Sequence, residues 1–371
     1  MRILVAPDKF KGSLTAQEVA ATIGRAICSV DPQIEVDLFP IADGGEGTAA
    51  ILAQHLGAES KITQTVDPIG RTIEAESFVG GGVAILDMSA ASGLWRLGPG
   101  ELDPMQATTF GTGVQIRHLS KANVSRILVG LGGSATSDAG LGMAAAVGYK
   151  FYASNGEPIL PSPARFSDIA VIEPPPQPLP SEVVGLSDVE TILTGQGGAI
   201  YTFGPQKGLT PSMVDQLDRD LTQLVARIEK QLGNNFSNTP RSGAAGGLGY
   251  GILTFLGGKL LSGFDFLAGN AKLRNHVVEA DLVITGEGKL DRQTLHGKGP
   301  FGVAAMASNC GKPVWAVAGV IEDRLALAPH FAKIISLVDE NTTSAEAVRD
   351  AQGILFQRVR TLLAGSYAGP S

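Results

Sequence analysis

The chain has 371 residues, 44% of them hydrophobic and 18% charged; this is the composition of a folded globular protein and excludes a disordered tail or a coiled coil. At roughly 150 residues per domain the length suggests two domains. Lys and Arg number 29 against 36 Asp and Glu, a net charge of −7, and no block of five like charges occurs, which argues against a nucleic-acid partner.

The 48 glycines and 21 prolines follow no repeat, so the glycines are expected at particular turns and not in a low-complexity segment. Cys28 and Cys310 stand far apart without metal-ligand spacing, which predicts two buried thiols in a reducing compartment. The opening residues lack the features of a secretory leader, so the cytoplasm is the expected location. Residues 242–258 are uncharged, but the stretch has 17 residues including seven glycines and is short for a membrane span of about 20. It reads as a glycine-rich loop entering a buried helix, and no membrane partner is expected.

Apolar runs of strand length alternate with segments of helical period, the pattern of βα units around a parallel sheet. Residues 3–6 read as a buried strand. Ala16, Val19, Ala20, Ile23 and Ile27 then fall on one helix face over 15–28. A second strand is predicted over 34–39 and a second helix over 48–55. Between 66 and 88 the pattern changes to short extended runs, 73–79 and 83–88, separated by three glycines, which predicts a hairpin in a different domain. A helix over 106–119, a strand over 126–130 and a helix over 139–147 follow. Residues 173–180 are too rich in proline for a helix or central strand and read as a stiff surface connector. Strand, turn and helix return at 282–285, 286–288 and 301–308, with a strand at 314–318 and a final helix over 344–363. Because both ends carry the parallel-sheet pattern and the middle differs, two interleaved domains are expected.

Four glycine-rich turns carry carboxylates or hydroxyls. They are Asp43-Gly44-Gly45-Glu46-Gly47-Thr48, Gly132-Gly133-Ser134-Ala135-Thr136-Ser137-Asp138, Arg241 to Gly247, and Gly286-Glu287-Gly288-Lys289-Leu290-Asp291. At the carboxyl ends of strands such turns bind ligands: glycine lets backbone approach an anion, and a following helix presents N–H groups to it. Taken singly, each can be a tight turn and each acidic residue a helix cap, Asp43 and Asp138 especially. Four together favour a phosphate-handling site. No Walker loop occurs. Gly130-Leu131-Gly132-Gly133-Ser134-Ala135 fits a weak dinucleotide fingerprint with Glu157 as its acidic partner. Asp8, Asp43, Glu46, Asp138, Asp188, Glu287 and Asp291 are candidates for magnesium or for a hydroxyl proton. Lys9, Lys11, Lys207, Lys289 and Lys298 are candidates to neutralise a phosphoryl group or a carboxylate. The five histidines have no ligand spacing and no G-x-S-x-G elbow occurs, which disfavours zinc chemistry and serine hydrolysis.

Six blocks, in order from residue 6 to about residue 298, together resemble one family. They begin at Ala6-Pro7-Asp8-Lys9-Phe10-Lys11-Gly12-Ser13-Leu14 and Ala42-Asp43-Gly44-Gly45-Glu46-Gly47-Thr48, and continue through Gly132-Gly133-Ser134-Ala135-Thr136. Phe203-Gly204-Pro205-Gln206-Lys207-Gly208, Gly243-Ala244-Ala245-Gly246-Gly247 and the run from Thr285 to Thr294 complete them. The chain resembles the bacterial glycerate kinases of the first type. The resemblance implies an α/β protein of two interleaved domains with the active site in the cleft between them. One is flavodoxin-like, 1–65 plus 275–371, and one mixed α/β, 66–274. It implies phosphoryl transfer from Mg-ATP to D-glycerate, at the 2-hydroxyl; no partner beyond these small molecules is expected, and the protein is expected to be a monomer or homodimer. Two segments depart from the family pattern: Ser137 stands where Asn is usual, and Thr191 and Ile192 replace Asn and Pro after Ser187-Asp188-Val189-Glu190.

On this reading Asp188 is the general base or a magnesium-orienting carboxylate, and Lys9 and Lys11 serve the phosphates or the substrate carboxylate. Asp188, Glu287 and Asp291 are the metal candidates. Asp8, Asp43, Gly44, Gly45, Glu46, Gly132, Gly133, Ser134, Ala135, Thr136, Lys207, Gly246, Gly247 and Arg292 are expected at substrate or phosphate. Two other functions are compatible with the residues: an NAD-dependent hydroxy-acid dehydrogenase using the Gly130 loop, and a non-catalytic glycerate-sensing protein.

Overall fold

The computed structural model describes residues 1–292, 294–295 and 299–367. The chain forms two compact units, Met1–Asp43 with Phe264–Ser371, and Gly44–Gly263. Residues 44–65, expected with the first domain, lie in the second unit, and 264–274 lie in the first. The reason is pairing: strand Glu59–Val66 runs antiparallel to Thr72–Gly80, with Thr63 opposite Ala75.

The first unit is built on a five-stranded parallel sheet in the order Lys333–Ser336, Val314–Ile321, Leu282–Leu290, Arg2–Pro7, Glu35–Leu38. Strand Arg2–Pro7 carries Ile3, Leu4, Val5 and Ala6, all fully buried, because a parallel strand covered on both faces needs a continuous apolar run. Helix Ala16–Val30 starts at a capping box between Thr15 and Glu18 and buries Val19, Ala20, Ile23 and Ile27 in a cluster shared with Leu355, Val359 and Leu363 of the last helix. The single helix expected over 344–363 is two, Ser344–Arg349 and Ala351–Tyr367. Asp350 leaves helical geometry and its carboxylate accepts the Gly353 N–H at 3.2 Å, restarting the chain in a new direction. Residues 286–288, expected as a turn, continue strand Leu282–Leu290. A Cβ on Gly286 would stand 1.8 Å from the Val317 carbonyl oxygen, so glycine here permits close strand approach and does not reverse the chain.

The second unit holds a six-stranded mixed sheet in the order Lys259–Leu261, Glu182–Leu186, Arg126–Gly130, Val83–Asp87, Thr72–Gly80, Glu59–Val66. The first four are mutually parallel and the last two are antiparallel additions. A separate three-stranded sheet contains Lys150–Tyr152, Pro158–Ile159 and Val171–Glu173. The helices begin later than expected, at Phe110 and Leu141. The stretch over 242–258 is a kinked, buried entry into helix Ala244–Leu256. No helix among the described residues is long and apolar enough to cross a membrane. The cysteines correct their expectation: Cys28 is exposed and Cys310 half-buried.

Candidate active site

In the second unit, the parallel strands Val83–Asp87, Arg126–Gly130 and Glu182–Leu186 end in loops that meet backbone to backbone. A Cβ on Gly44, whose φ is +87°, would lie 2.5 Å from the Leu186 carbonyl oxygen, and one on Gly132 would lie 2.4 Å from Gly45 Cα. Only glycine allows both approaches. The turn 44–47 is therefore stacked on the loop 132–136 and on the start of the loop that carries Asp188. Helix Thr48–Leu56 begins here, and its first N–H groups, of Gly47 and Ala49, donate to the Asp87 carboxylate at 2.8 and 3.0 Å. Asp87 is thus the cap of this helix, a role that proximity in sequence assigned to Asp43.

Loop 132–136 is held from several sides. The Ala135 N–H donates to Ser92 O at 3.0 Å, and Gly133 O accepts from the Leu94 N–H at 2.8 Å. Lys207, only 2% exposed, donates from Nζ to Ser134 Oγ at 2.8 Å and to the Thr136 carbonyl at 2.5 Å. Burial pushes its ammonium down to about 7, while the charge of Asp138 works in the opposite sense. Asp138 is fully buried and accepts from Thr109 N, Thr109 Oγ1, Gly142 N and Gly140 N at 2.8, 2.8, 3.1 and 3.2 Å. Burial raises it, and these hydrogen bonds oppose the rise. It braces the loop and the start of helix Leu141–Ala146, consistent with a capping role.

Ala245, Gly246 and Gly247 have φ of 55°, 66° and 90°, a left-handed kink at the head of helix Ala244–Leu256. It presses on the same loop: the Ala139 N–H donates to Gly246 O at 3.0 Å, and a Cβ on Gly246 would lie 1.9 Å from Thr136 O. Gly246→Ala is expected to cost about 2–4 kcal/mol from the positive φ and the overlap together. Urea denaturation checks this; a change below about 0.5 kcal/mol would contradict the close approach.

Asp188 follows strand Glu182–Leu186 directly and is half-buried. Its loop is anchored by main-chain bonds: Arg241 Nε donates to Ser187 O at 2.9 Å, and the Gly243 N–H donates to Thr191 O at 3.0 Å. Arg241 also pairs with Glu190. Of the residues that depart from the family pattern, Thr191 supports the loop through its carbonyl group, and Gly243 packs closely on Ile192, where a Cβ would lie 2.1 Å from Ile192 O.

In the first unit, Asp8 follows strand Arg2–Pro7, is 5% exposed, and its N–H donates to Gly286 O at 2.8 Å. Lys9 Nζ lies 3.3 Å from Asp43 Oδ1 and 3.7 Å from Asp8 Oδ1. Glu287, carried by strand Leu282–Leu290, accepts from Thr294 Oγ1 at 2.9 Å. Burial, then the Asp43 charge, pushes Asp8 up to about 7. Burial and the charges of Asp8, Asp43 and Asp291 push Glu287 to about 7 as well. Among the described residues no three His, Cys, Asp or Glu side chains are placed to enclose one ion. Mutually repelling carboxylates of this kind suit a hard cation that retains waters and shares its ligands with phosphate oxygens, which is the habit of magnesium.

Other candidates are more exposed. Arg292 has a 76% exposed side chain and pairs with Asp323. Lys289 bridges Asp291 and Glu322 at 3.3 and 2.9 Å. Lys11 is exposed, on the turn after Phe10. Lys298 and Gln293 lie outside the described residues. The dinucleotide reading of the Gly130 loop is not supported. Helix Leu141–Ala146 starts six residues after Ala135, and Glu157 belongs to the connection between Lys150–Tyr152 and Pro158–Ile159. A pyrophosphate-binding helix would begin at the fingerprint itself.

The family model described as "Glycerate kinase family" matches residues 3–365. The chain is 40% identical to a glycerate kinase of Bacillus subtilis, covering 98% of this chain and 97% of that one. It is 38% identical to a glycerate kinase of Halalkalibacterium halodurans, covering 97% of each. Identity to a glycerate 2-kinase of Escherichia coli is 36%, covering 98% and 97%. A solved structure, a putative glycerate kinase 2 from Salmonella typhimurium LT2, superposes with a TM-score of 0.82 at 35% identity, covering 100% of this chain and 99% of that one.

Proposed function

The chain belongs to the glycerate kinase family, and from that premise we propose that it transfers the γ-phosphoryl group of Mg-ATP to the 2-hydroxyl of D-glycerate, giving 2-phospho-D-glycerate and ADP. The observation that carries the phosphate part is the loop 132–136, packed on Gly45 and pinned by the buried Lys207. Its glycines let the backbone come close to an anion.

Phosphoryl transfer asks a protein mainly for positioning and charge neutralisation. Asp188 serves either as the general base for the attacking hydroxyl or as the carboxylate that orients magnesium. Lys9 supplies positive charge beside Asp8 and Asp43, and Lys11 engages the phosphates or the substrate carboxylate. Glu46, Gly44 and Gly45 flank the phosphate loop, as do Gly246 and Gly247 through their contacts with it. Magnesium, when bound, neutralises phosphate charge; Glu287, Asp291 and Asp188 are the carboxylates that would serve it. The protein works in the cytoplasm as a monomer or homodimer.

A coupled assay of ADP formation with Mg-ATP tests the reading. Turnover is expected with D-glycerate, much less with L-glycerate, and none with a nicotinamide nucleotide in place of ATP. Binding of glycerate without ADP release would mark a sensing protein, and a nicotinamide absorbance change would mark a dehydrogenase.

A further inference from the structure

Loop 132–136 is held by a charge that the transfer step does not consume. Lys207 ends the short helical turn Pro205–Lys207, and its Nζ bridges Ser134 Oγ and Thr136 O. A Cβ on Gly246 would lie 2.9 Å from Nζ, so main chain also packs against the group. Thr136 Oγ1, in the same loop, is buried with no hydrogen-bond partner among the described residues.

The charged groups on the surrounding segments are few. Asp138 is the one whose field reaches Lys207, and its oxygens are already engaged by Thr109, Gly140 and Gly142. Arg241, from the segment leading to Gly246, is turned to Ser187 and Glu190. Helix Ala199–Phe203 bears no charged side chain; its Tyr201 hydroxyl donates to Asp215. Burial therefore leaves the ammonium weakly held near neutral pH. An anion brought beside such a group favours its charged form.

Resting on the reading of loop 132–136 as a phosphate cradle, we propose that Lys207 is a positioning residue that links ligand binding to proton uptake. Arrival of a phosphate-bearing ligand at the loop draws one proton from solvent onto Nζ. The ammonium so formed holds Ser134 Oγ and the Thr136 carbonyl in place through two full donors. The neutral amine keeps two N–H donors for these acceptors but loses the charge that strengthens both bonds, which leaves the loop less firmly fixed.

Calorimetric titration with Mg-ATP at about pH 8, in two buffers of different ionisation enthalpy, reads the proton directly. The wild type is expected to take up close to one more proton per nucleotide than Lys207→Met or Lys207→Arg, because Asp8 and Glu287 contribute equally in all three. Wild-type affinity should also weaken by up to about tenfold per pH unit above neutrality, whereas the arginine variant, always charged, should keep a flatter profile. Equal uptake in the three proteins overturns the proposal while leaving the cradle standing. Absence of nucleotide binding by the wild type overturns the cradle reading, and this inference with it. Should the variants fail to fold, lysine-selective NMR of the wild type decides: one lysine titrating near neutral pH and driven to its charged form by Mg-ATP is expected, and all lysines titrating above about pH 9 would refute it.

Discussion

Asp188→Ala is expected to lower kcat by about 10²–10⁴-fold, the range that a positioned general base contributes, with the fold retained. Retention follows from how the loop is anchored. Ser187 O, Thr191 O and the Gly243 N–H are main-chain groups, and neither they nor the buried strand Glu182–Leu186 depend on the Asp188 side chain. Asp188→Asn keeps the shape and the metal-facing oxygen but cannot take a proton. A general base predicts that Asn is as inactive as Ala, with KM for Mg-ATP little changed; a metal-orienting carboxylate predicts a raised KM for Mg-ATP. Near-normal turnover in either variant, with an unchanged melting curve, would remove Asp188 from the chemistry.

Glu287→Gln is expected to remove at least about 10²-fold of the activity, as loss of a charged positioning group in a transfer site does, and yet to stabilise the ligand-free protein. Glu287 is held at about 7 in the fold against an ordinary value of 4.5. A raised carboxylate means that the folded form binds more protons than the unfolded form between these values, so its contribution to stability is present below about pH 4 and is lost as pH rises to about 7. Above neutrality the wild type bears the full cost of a buried charge near Asp8 and Asp43, and the glutamine variant does not. The gain at about pH 8 should be roughly 1–3 kcal/mol by urea denaturation, shrinking towards zero near pH 4. A variant less stable than wild type at pH 8 would show that Glu287 is a structural hydrogen-bond acceptor for Thr294 and not a functional carboxylate kept under repulsion. Such opposition between stability and activity is common at functional sites.

Much of the architecture was legible because its elements are locally consistent. The run 3–6 and the face formed by Val19, Ala20, Ile23 and Ile27 show the periods of a buried strand and of a packed helix. Strand Glu59–Val66 was not, since only Thr63 and Thr65 of its side chains are buried and a polar edge strand lacks an apolar alternation. That omission also displaced the domain border. Gly286-Glu287-Gly288 reads as a turn by composition, but Gly286 serves close approach to Val317, which only the neighbouring strand reveals.

The site shows the same division. The glycine turns were visible as motifs, and the close approaches of Gly44, Gly132 and Gly246 give them physical cause. Lys207 was visible as a lysine between turn formers, but its depth, and hence its weak hold on a proton, depends on loops that precede and follow it by tens of residues. Asp87 was missed as the cap of helix Thr48–Leu56 because it lies 40 residues away in the chain. Arg292 was drawn in by its place in a motif, whereas its side chain is turned to Asp323.

The most direct test is to incubate the enzyme with equimolar Mg-ATP and D-glycerate and to record the proton-coupled ³¹P spectrum of the product. Transfer to the 2-hydroxyl places phosphorus three bonds from the single C2 proton. Loss of the γ-phosphate signal with growth of a doublet is therefore the expected result. An undiminished γ-phosphate signal, release of inorganic phosphate alone, or a triplet from a phosphorylated methylene carbon would contradict it.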